Sequence, residues 1–219
     1  MTWIVTCDGH EASLEFPTHA DYEIERIAHS LAQINRFNGH AVRPYSVAEH
    51  SLLVLDIAKH ELKLDANGQM AALMHDAHEA FIGDITTPMK ELLGSPIRSL
   101  EMRHSHLMSL RFGYHVAMTM NHYELKMADM MALAVERAAL LPHKKPCGTP
   151  STPWPYVCLD FGSSPFLIRL RDKLMSPDRA QESWQHHRDR FIETFQHLQL
   201  ERAELSRERL GPCFAEEAR

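Results

Sequence analysis

The sequence predicts an all-α protein, a helical bundle preceded by a short β-hairpin. Apolar residues recur every three or four positions along most of the 219-residue chain, as they do in amphipathic helices. Near the N-terminus, two short segments flank an Asp-Gly pair, the typical signal of a hairpin turn. The sequence shows no internal repeat and no low-complexity tract, which favours a single bundle.

The hairpin is expected from TWIVT and ASLEF, which flank Cys7-Asp8-Gly9-His10, and Pro17 closes it. A first helix follows, with apolar residues at helical spacing at Ile24, Ile27, Ala28, Leu31 and Ile34. We expect it to run to about Phe37 and to end at Asn38-Gly39, because Asn and Gly tolerate the left-handed conformation past a helix end.

Two predicted helices carry histidine and acidic residues among mostly apolar ones. Ser46-Val47-Ala48-Glu49 fits a capping box and predicts the start of a helix that carries His50. After a loop over residues 65–68, a second helix is expected from about Gln69 to Ile82, ended by Gly83. Its polar residues are His75, Asp76 and Glu79.

Further helices are expected over about residues 96–111, 122–141, 166–175 and 177–210, separated by a turn at 84–88 and a long loop at 142–165. The helix over 122–141 carries Asp129. We expect residues 1–141 to form the core with its hairpin, and residues 142–219 to pack on the same domain as a loop, C-terminal helices and a loose tail after Gly211.

The composition narrows the function classes. Hydrophobic residues make up 44% and charged residues 24% of the chain, which is ordinary for a globular protein. The formal net charge of -6 argues against nucleic acid as a partner, and no apolar run is long enough for a membrane span. The four cysteines form no Cys-x-x-Cys pair and no signal-peptide pattern is visible, so we expect a cytoplasmic protein.

Histidine and acidic residues on three predicted helices could converge on a metal ion. His50 lies on one helix, His75 and Asp76 are adjacent on the next, and Asp129 lies on a later one. Such groups bind divalent metals that acidify water and neutralise charge developing on phosphate. Because adjacent helix residues point about 100° apart, His75 and Asp76 can reach one ion only at a seam between helices.

A simpler interpretation also stands. His75, Asp76 and Glu79 could form the polar face of a surface helix, and His50 could be an ordinary packed histidine. Against this, an Asp and a Glu one turn apart on a mostly apolar helix are costly to bury without partners. A metal ion would supply that partner.

Three segments resemble the HD-domain phosphohydrolases: YSVAEHS, LMHDAHEAFIGDITTPMK and LKMADMMALAVERAAL. Their order of His, His-Asp and Asp, with a Glu and an Asp after the dyad, is specific, whereas a His-Asp pair alone would not be. The sequence is most similar to bacterial 5'-deoxynucleotidases and small phage-type deoxynucleotide triphosphohydrolases over about residues 3–141. The resemblance implies an HD-domain helical bundle.

The resemblance also implies roles for the residues that match its motifs. The implied metal ligands are His50, His75, Asp76 and Asp129. The implied catalytic carboxylates are Glu79 and Asp84, in an order that stays open. The implied substrate-binding residues are Arg36 and Lys90 at the phosphate and Phe37 near the nucleoside.

The reaction implied by the resemblance is hydrolysis of the 5'-phosphate ester of a small-molecule deoxynucleotide. The resident ion would be Mn, Co, Zn or Fe, with Mg²⁺ as a conceivable additional ion bound with the substrate. A monophosphate and a dATP-like triphosphate both contain this ester. A triphosphate tail would need extra cations, which Arg43, Lys90 and Arg98 could supply, although these could equally be solvated surface residues. A noncatalytic domain with a structural metal is a third hypothesis, which would leave the catalytic carboxylates without a purpose.

Two questions stay open at this stage. Phe37 either lines the nucleotide pocket or packs beneath its turn. The C-terminal helix carries an apolar stripe at Trp184, Phe191, Ile192, Phe195 and Leu198. One interpretation is that this stripe packs on the core of its own chain. The other is that it forms a subunit contact, because the resemblance implies a homo-oligomer.

Overall fold

The computed structural model describes residues 2–142, Trp154 and residues 164–210. Within these ranges it contains a two-stranded antiparallel sheet and eleven α-helices, which confirms the predicted all-α fold with an N-terminal hairpin. Most of the predicted loop over 142–165, and the whole tail after Gly211, lie outside the described residues. No helix in the described ranges is both long and apolar enough to cross a membrane.

The hairpin pairs β1 (Trp3–Val5) with β2 (Glu11–Ser13), and Ile4 lies opposite Ala12. Gly9 has a φ of 83°, in the left-handed region that the Asp-Gly turn requires. Ala12 is completely buried in the hydrophobic core, so the hairpin is attached to the bundle.

The helices, in chain order, are α1 Ile24–Leu31, α2 Val47–His60, α3 Ala66–Leu73, α4 Glu79–Ile82, α5 Thr87–Leu93, α6 Ser95–Arg111, α7 His115–Met120, α8 His122–Leu140, α9 Pro165–Leu174, α10 Pro177–Gln181 and α11 Trp184–Leu210. Helix α2 lies at the centre, because eleven of its fourteen residues are buried. It packs on α3 and α8, and also on α9 and α11.

The C-terminal helices share this core. Helix α11 packs on α1, α2 and α3, and α9 packs on α8. In α11, Phe191, Phe195 and Leu198 are buried, and Trp184 and Ile192 pack against the same cluster. The apolar stripe is therefore used within its own chain, as one of the two interpretations predicted.

The prediction of a single helix over residues 69–82 is wrong. Helix α3 begins earlier, because the Asp65 carboxylate caps it by accepting a hydrogen bond from the Gly68 amide at 2.9 Å. It ends at Leu73, and residues 74–78 form a turn before α4 starts. The break falls at the His-Asp pair, so these two side chains are not held 100° apart as they would be on a continuous helix.

The first helix is shorter than predicted. Helix α1 ends at Leu31, and Arg36–Gly39 forms a separate 3-10 turn in which Phe37 and Asn38 have φ values of 56° and 50°. The chain leaves the helix because the segment before this turn pairs with the residues ahead of α2. The Arg36 amide donates to the Tyr45 carbonyl at 2.8 Å, and the Val47 amide donates to Ile34 at 3.0 Å.

Two short helices, α5 and α7, were not predicted, and the helix predicted over residues 177–210 is divided into α10 and α11. Helix α5 starts at Thr87-Pro88, a proline position that favours helix starts, and it ends at Gly94 with a φ of 72°. Helix α7 lies in the connection between α6 and α8. Helix α10 is separate from α11 because Glu182 adopts an extended conformation.

Candidate metal centre

His50 is presented by the central helix α2 and is completely buried. The Ser46 side chain caps this helix by accepting a hydrogen bond from the Glu49 amide at 3.2 Å, as predicted. The His50 Nδ1–H donates to Oε1 of Glu136 on α8 at 2.5 Å. This bond orients the ring and leaves Nε2 as the free ligand nitrogen.

His75 and Asp76 lie in the turn between α3 and α4. The His75 Nδ1–H donates to the Ala72 carbonyl at 2.8 Å, which again leaves Nε2 available. That Nε2 lies 3.1 Å from Oδ2 of Asp76, and the His50 and His75 ring centroids are 5.2 Å apart. The turn thus brings both members of the dyad to the ring of His50.

His50, His75 and Asp76 form a donor set that fits a metal ion. Each offers a ligand atom, and these atoms lie within 4.8 Å of one another. Two ligand atoms that each bind one ion at roughly 2.1 Å can be no more than about 4.2 Å apart, so a small adjustment would close the set. Among the described residues, neither Nε2 has a hydrogen-bond partner although both are buried. A cation would satisfy both nitrogens, which are otherwise costly to bury.

Asp129 approaches the same group from α8. Its Oδ1 lies 3.5 Å from His50 Nε2. Oδ2 of Asp76 lies at the same distance from this nitrogen. Its Oδ2 accepts a hydrogen bond from Lys126 at 2.9 Å. Asp129 therefore borders the donor set on the His50 side, with one carboxylate oxygen directed to it.

The charges at the centre favour a cation. Burial works to raise the pKa of Asp76, yet the two facing imidazoles hold it well below its ordinary value. Burial and Arg36 work to lower the pKa of His50, but the surrounding carboxylates hold it well above its usual range. The imidazole thus sits in a strongly negative environment, which a metal ion at Nε2 would also neutralise.

Arg36 links this centre to α8 and is 9% exposed. Its Nη1 lies 3.8 Å from Oδ2 of Asp76, and its Nη2 donates to Oε2 of Glu136 at 3.3 Å. The Tyr45 hydroxyl donates to the other oxygen of Glu136 at 2.8 Å. Burial would lower the pKa of Arg36, but Glu136 and Asp76 raise it, so the guanidinium keeps its charge beside the centre.

Phe37 lies next to Arg36 and faces an aromatic neighbour. Its ring centroid is 6.2 Å from that of Trp154, with the planes inclined by 43°. The Arg36 guanidinium carbon lies 5.4 Å from the Phe37 ring centroid, and that of Arg137 lies 5.1 Å from the Trp154 centroid. Phe37 is half-buried and also packs against the core. We call Phe37 and Trp154 the aromatic pair.

Glu79 and Asp84 lie within electrostatic reach of Asp76. Glu79 is 3% exposed, and its Oε2 has no hydrogen-bond partner among the described residues. Burial, with the charges of Asp76 and Asp84, raises the pKa of Glu79 to about 9. Burial also raises the pKa of Asp84, with Asp76 adding to it and Arg36 opposing it. A proton or a cation must therefore balance these carboxyl groups.

Lys90 lies near the same carboxylates but has a partner of its own. Its Nζ forms an ion pair with Oε1 of Glu101 at 2.8 Å. Burial alone would lower the pKa of Lys90, but Glu101 raises it, with Glu79 and Asp76 contributing. The predicted contact of Lys90 with phosphate stays a prediction, and it would require an exchange of partners.

No family model matches the chain. An uncharacterized protein of Rhodobacter capsulatus is 41% identical over 114 residues, which cover 51% of this chain and 58% of that protein. The chain therefore spans less than two thirds of that relative. The uncharacterized protein YfdR of Escherichia coli is 34% identical over 140 residues, which cover 64% of this chain and 73% of YfdR. The chain belongs to the YfdR family. Neither relative's name states an activity.

Sequence reasoning missed three residues that support the centre of this YfdR-family chain: Tyr45, Glu101 and Glu136. Glu136 follows Asp129 by seven residues, or two helical turns, so the shared face of α8 was a usable signal. Tyr45 and Glu101 had no local signal, because each reaches the site from a segment that only the fold places there.

Proposed function

We propose that this YfdR-family chain is a metal-dependent phosphohydrolase of the HD-domain type that cleaves the 5'-phosphate ester of deoxynucleotides. The observation that carries the proposal is the convergence of ligand atoms of His50, His75 and Asp76 within 4.8 Å, with two buried Nε2 atoms that have no hydrogen-bond partner among the described residues. This mixed nitrogen and oxygen set suits Mn, Co, Zn or Fe better than Mg or Ca. A bound ion of this kind supplies a water of lowered pKa and neutralises charge on phosphate.

Glu79 and Asp84 supply the acid and the base. One accepts the proton of the attacking water, and the other protonates the 5' oxygen of the departing nucleoside. Burial raises the pKa of both carboxyl groups, which is the environment expected of acid–base residues that work near neutral pH. Either assignment of the two roles is compatible with their positions.

Arg36 and Lys90 bind the nonreacting phosphate oxygens. Arg36 is held in place by Glu136 and lies 3.8 Å from Asp76, so its charge is fixed beside the centre. Lys90 would exchange Glu101 for a phosphate oxygen. Both cations would bind the transition state more tightly than the substrate, because negative charge grows on those oxygens.

Within this proposal we choose a monophosphate as the substrate, on the state of one candidate cation. A triphosphate tail needs additional cations, and Arg43 is a nearby candidate. Arg43 instead donates two 3.0 Å hydrogen bonds to the buried Glu49. Withdrawing this arginine would leave Glu49 without that partner, which is costly for a buried carboxylate.

A panel of nucleotides tests the proposal. The chain is loaded with Mn²⁺ or Co²⁺ and incubated with deoxy- and ribonucleoside mono- and triphosphates, and products are separated by chromatography. We expect nucleoside and phosphate from deoxynucleoside monophosphates, and about 100-fold slower product release from metal-loaded Asp84→Asn prepared identically. A fully loaded chain that releases neither phosphate nor triphosphate from any nucleotide would disprove the proposal.

A further inference from the structure

A second group of ligand atoms lies beside the first. Asp76, His78 and Glu79 each offer one, and these atoms also lie within 4.8 Å of one another. Asp76 belongs to both groups, whereas His50 and His75 belong only to the first. The two groups together therefore offer five residues with one carboxylate in common.

The local fold holds the second group in place. Asp76 and His78 lie in the turn before α4, and Glu79 is the first residue of that helix. The Glu79 amide donates to the Asp76 carbonyl at 3.0 Å, which fixes the spacing of the backbone. The three side chains are thus brought together by four consecutive residues rather than by distant elements.

Two of these side chains are buried with an unused polar atom. His78 is 8% exposed and Glu79 is 3% exposed. Among the described residues, Nδ1 of His78 and Oε2 of Glu79 have no hydrogen-bond partner. The other His78 nitrogen, Nε2, lies 3.9 Å from Glu101, too far for a hydrogen bond. Leaving such atoms unpaired is costly unless a ligand binds them.

Asp76 has the capacity to serve both groups. Its contacts with His50, His75 and Arg36 all use Oδ2. Oδ1 makes none of these contacts, so the carboxylate can direct one oxygen to each group. A carboxylate has two oxygens with about four lone-pair sites, so each oxygen can bind a different ion.

We propose that Asp76, His78 and Glu79 bind a second divalent cation, so that Asp76 bridges a two-ion centre. Glu79 then binds through one carboxylate oxygen and keeps the other for its proton transfer in the proposed reaction, on which only this role rests. Binding of the second ion does not depend on that reaction, because it follows from the donor atoms alone. The imidazole and carboxylates suit Mn²⁺ as a probe.

The test counts ions. Chelator-stripped protein is titrated with Mn²⁺, and bound metal is measured by elemental analysis after desalting and by electron paramagnetic resonance. We expect two ions per chain and a spectrum showing exchange coupling between them. His78→Ala and the near-isosteric Glu79→Gln should each bind one ion with an uncoupled spectrum. His50→Ala should also bind one ion, in the second group, and Asp76→Ala should retain neither tightly.

Exposed His122→Ala is the matched control and should bind two coupled ions, and circular dichroism verifies the fold of every variant. One ion per chain in the unmodified protein at saturating Mn²⁺ would overturn the inference. Two coupled ions in folded His78→Ala and Glu79→Gln would do the same. Two ions without nucleotide hydrolysis would leave the inference standing and remove the proposed function, and hydrolysis with one ion would do the reverse.

Discussion

Glu136 shows how one residue that lies behind the ligands organises the centre. It is completely buried, and its two oxygens accept hydrogen bonds from His50, Tyr45 and Arg36. The contact with His50 determines which ring nitrogen carries the proton and therefore which one is available to a metal ion. The contact with Arg36 holds a positive charge next to Asp76. Burial of this carboxylate is tolerated because every partner is a donor.

Glu136→Gln should therefore weaken metal binding without removing a ligand. Loss of the negative charge behind His50 reduces the basicity of its Nε2, and changes of this kind typically cost roughly 10- to 100-fold in metal affinity. Calorimetric titration with Mn²⁺ measures the change. Glu193→Gln, on the exposed face of α11, is the control and should bind Mn²⁺ like the unmodified chain. Equal affinities for the two variants would show that Glu136 has no influence on the metal.

Asp84→Asn separates chemistry from metal binding. Asp84 belongs to neither group of ligand atoms, so the bound metal should be unchanged. Its loss as acid or base should lower turnover by about 100-fold. Single-turnover kinetics and elemental analysis on the same sample test both statements, with exposed Asp189→Asn as the control. Full turnover in folded, metal-loaded Asp84→Asn would exclude Asp84 from the proposed reaction.

At the scale of elements, the turn between α3 and α4 is what the sequence predicted least well. The apolar periodicity over residues 69–82 continues through the break, because Met70 and Leu73 before it and Phe81 after it all pack in the core. Periodicity therefore identified His75 and Asp76 but could not show that the helix is interrupted at them. The turn places the dyad against His50 of α2, a contact across 25 residues that no local pattern reports. The N-terminal hairpin, the Ser46 cap of α2 and most of the helices could be predicted, because each depends on residues that are close together in the sequence.

The 3-10 turn at Arg36–Gly39 positions the aromatic pair. Phe37→Ala and Trp154→Ala should each raise KM for a deoxynucleotide by about 10-fold, because a base stacked on an aromatic ring gains roughly 1–3 kcal/mol. Both variants should keep their metal, since neither residue is a ligand. Steady-state kinetics on paired deoxy and ribo substrates provide the measurement. If base ranking and the deoxy-to-ribo ratio stay the same in both folded variants, the pair has a packing role only.

At the scale of the whole molecule, a buried charge network joins the site helix to the C-terminal helices. Glu49, which precedes His50 on α2, is 1% exposed. Its carboxylate lies 3.0 Å from Arg43 and 3.5 Å from both Arg179 and His187. These last two residues belong to α10 and α11, so the C-terminal helices help to position the helix that carries His50.

This network predicts a pH dependence of stability. Burial, with Arg179, lowers the pKa of His187 to about 4, while Glu182 opposes the shift and His186 and Arg43 reinforce it. Because the folded pKa lies below the unfolded value of about 6.5, the stabilisation is complete above pH 6.5 and is lost as pH falls towards 4. His187→Gln should flatten that part of a denaturant-derived stability profile, whereas exposed His197→Gln should not. Identical slopes in all three proteins would contradict the assignment.

The described helices should unfold as one unit, because α11 completes the core formed by α1, α2 and α3. Phe191 is completely buried in that core, so Phe191→Ala should lower the free energy of unfolding by about 3–5 kcal/mol. Leu200, on the same helix, is 66% exposed. Leu200→Ala should therefore change the free energy of unfolding by no more than about 0.5 kcal/mol. Circular dichroism and tryptophan fluorescence should give one coincident transition for each protein. Bound Mn²⁺ should raise the midpoint of this unfolding transition in both variants. The ligands on α2 and in the turn between α3 and α4 come together only in the folded state. A separate early transition for the C-terminal helices, with metal binding retained after it, would show that the centre folds without them.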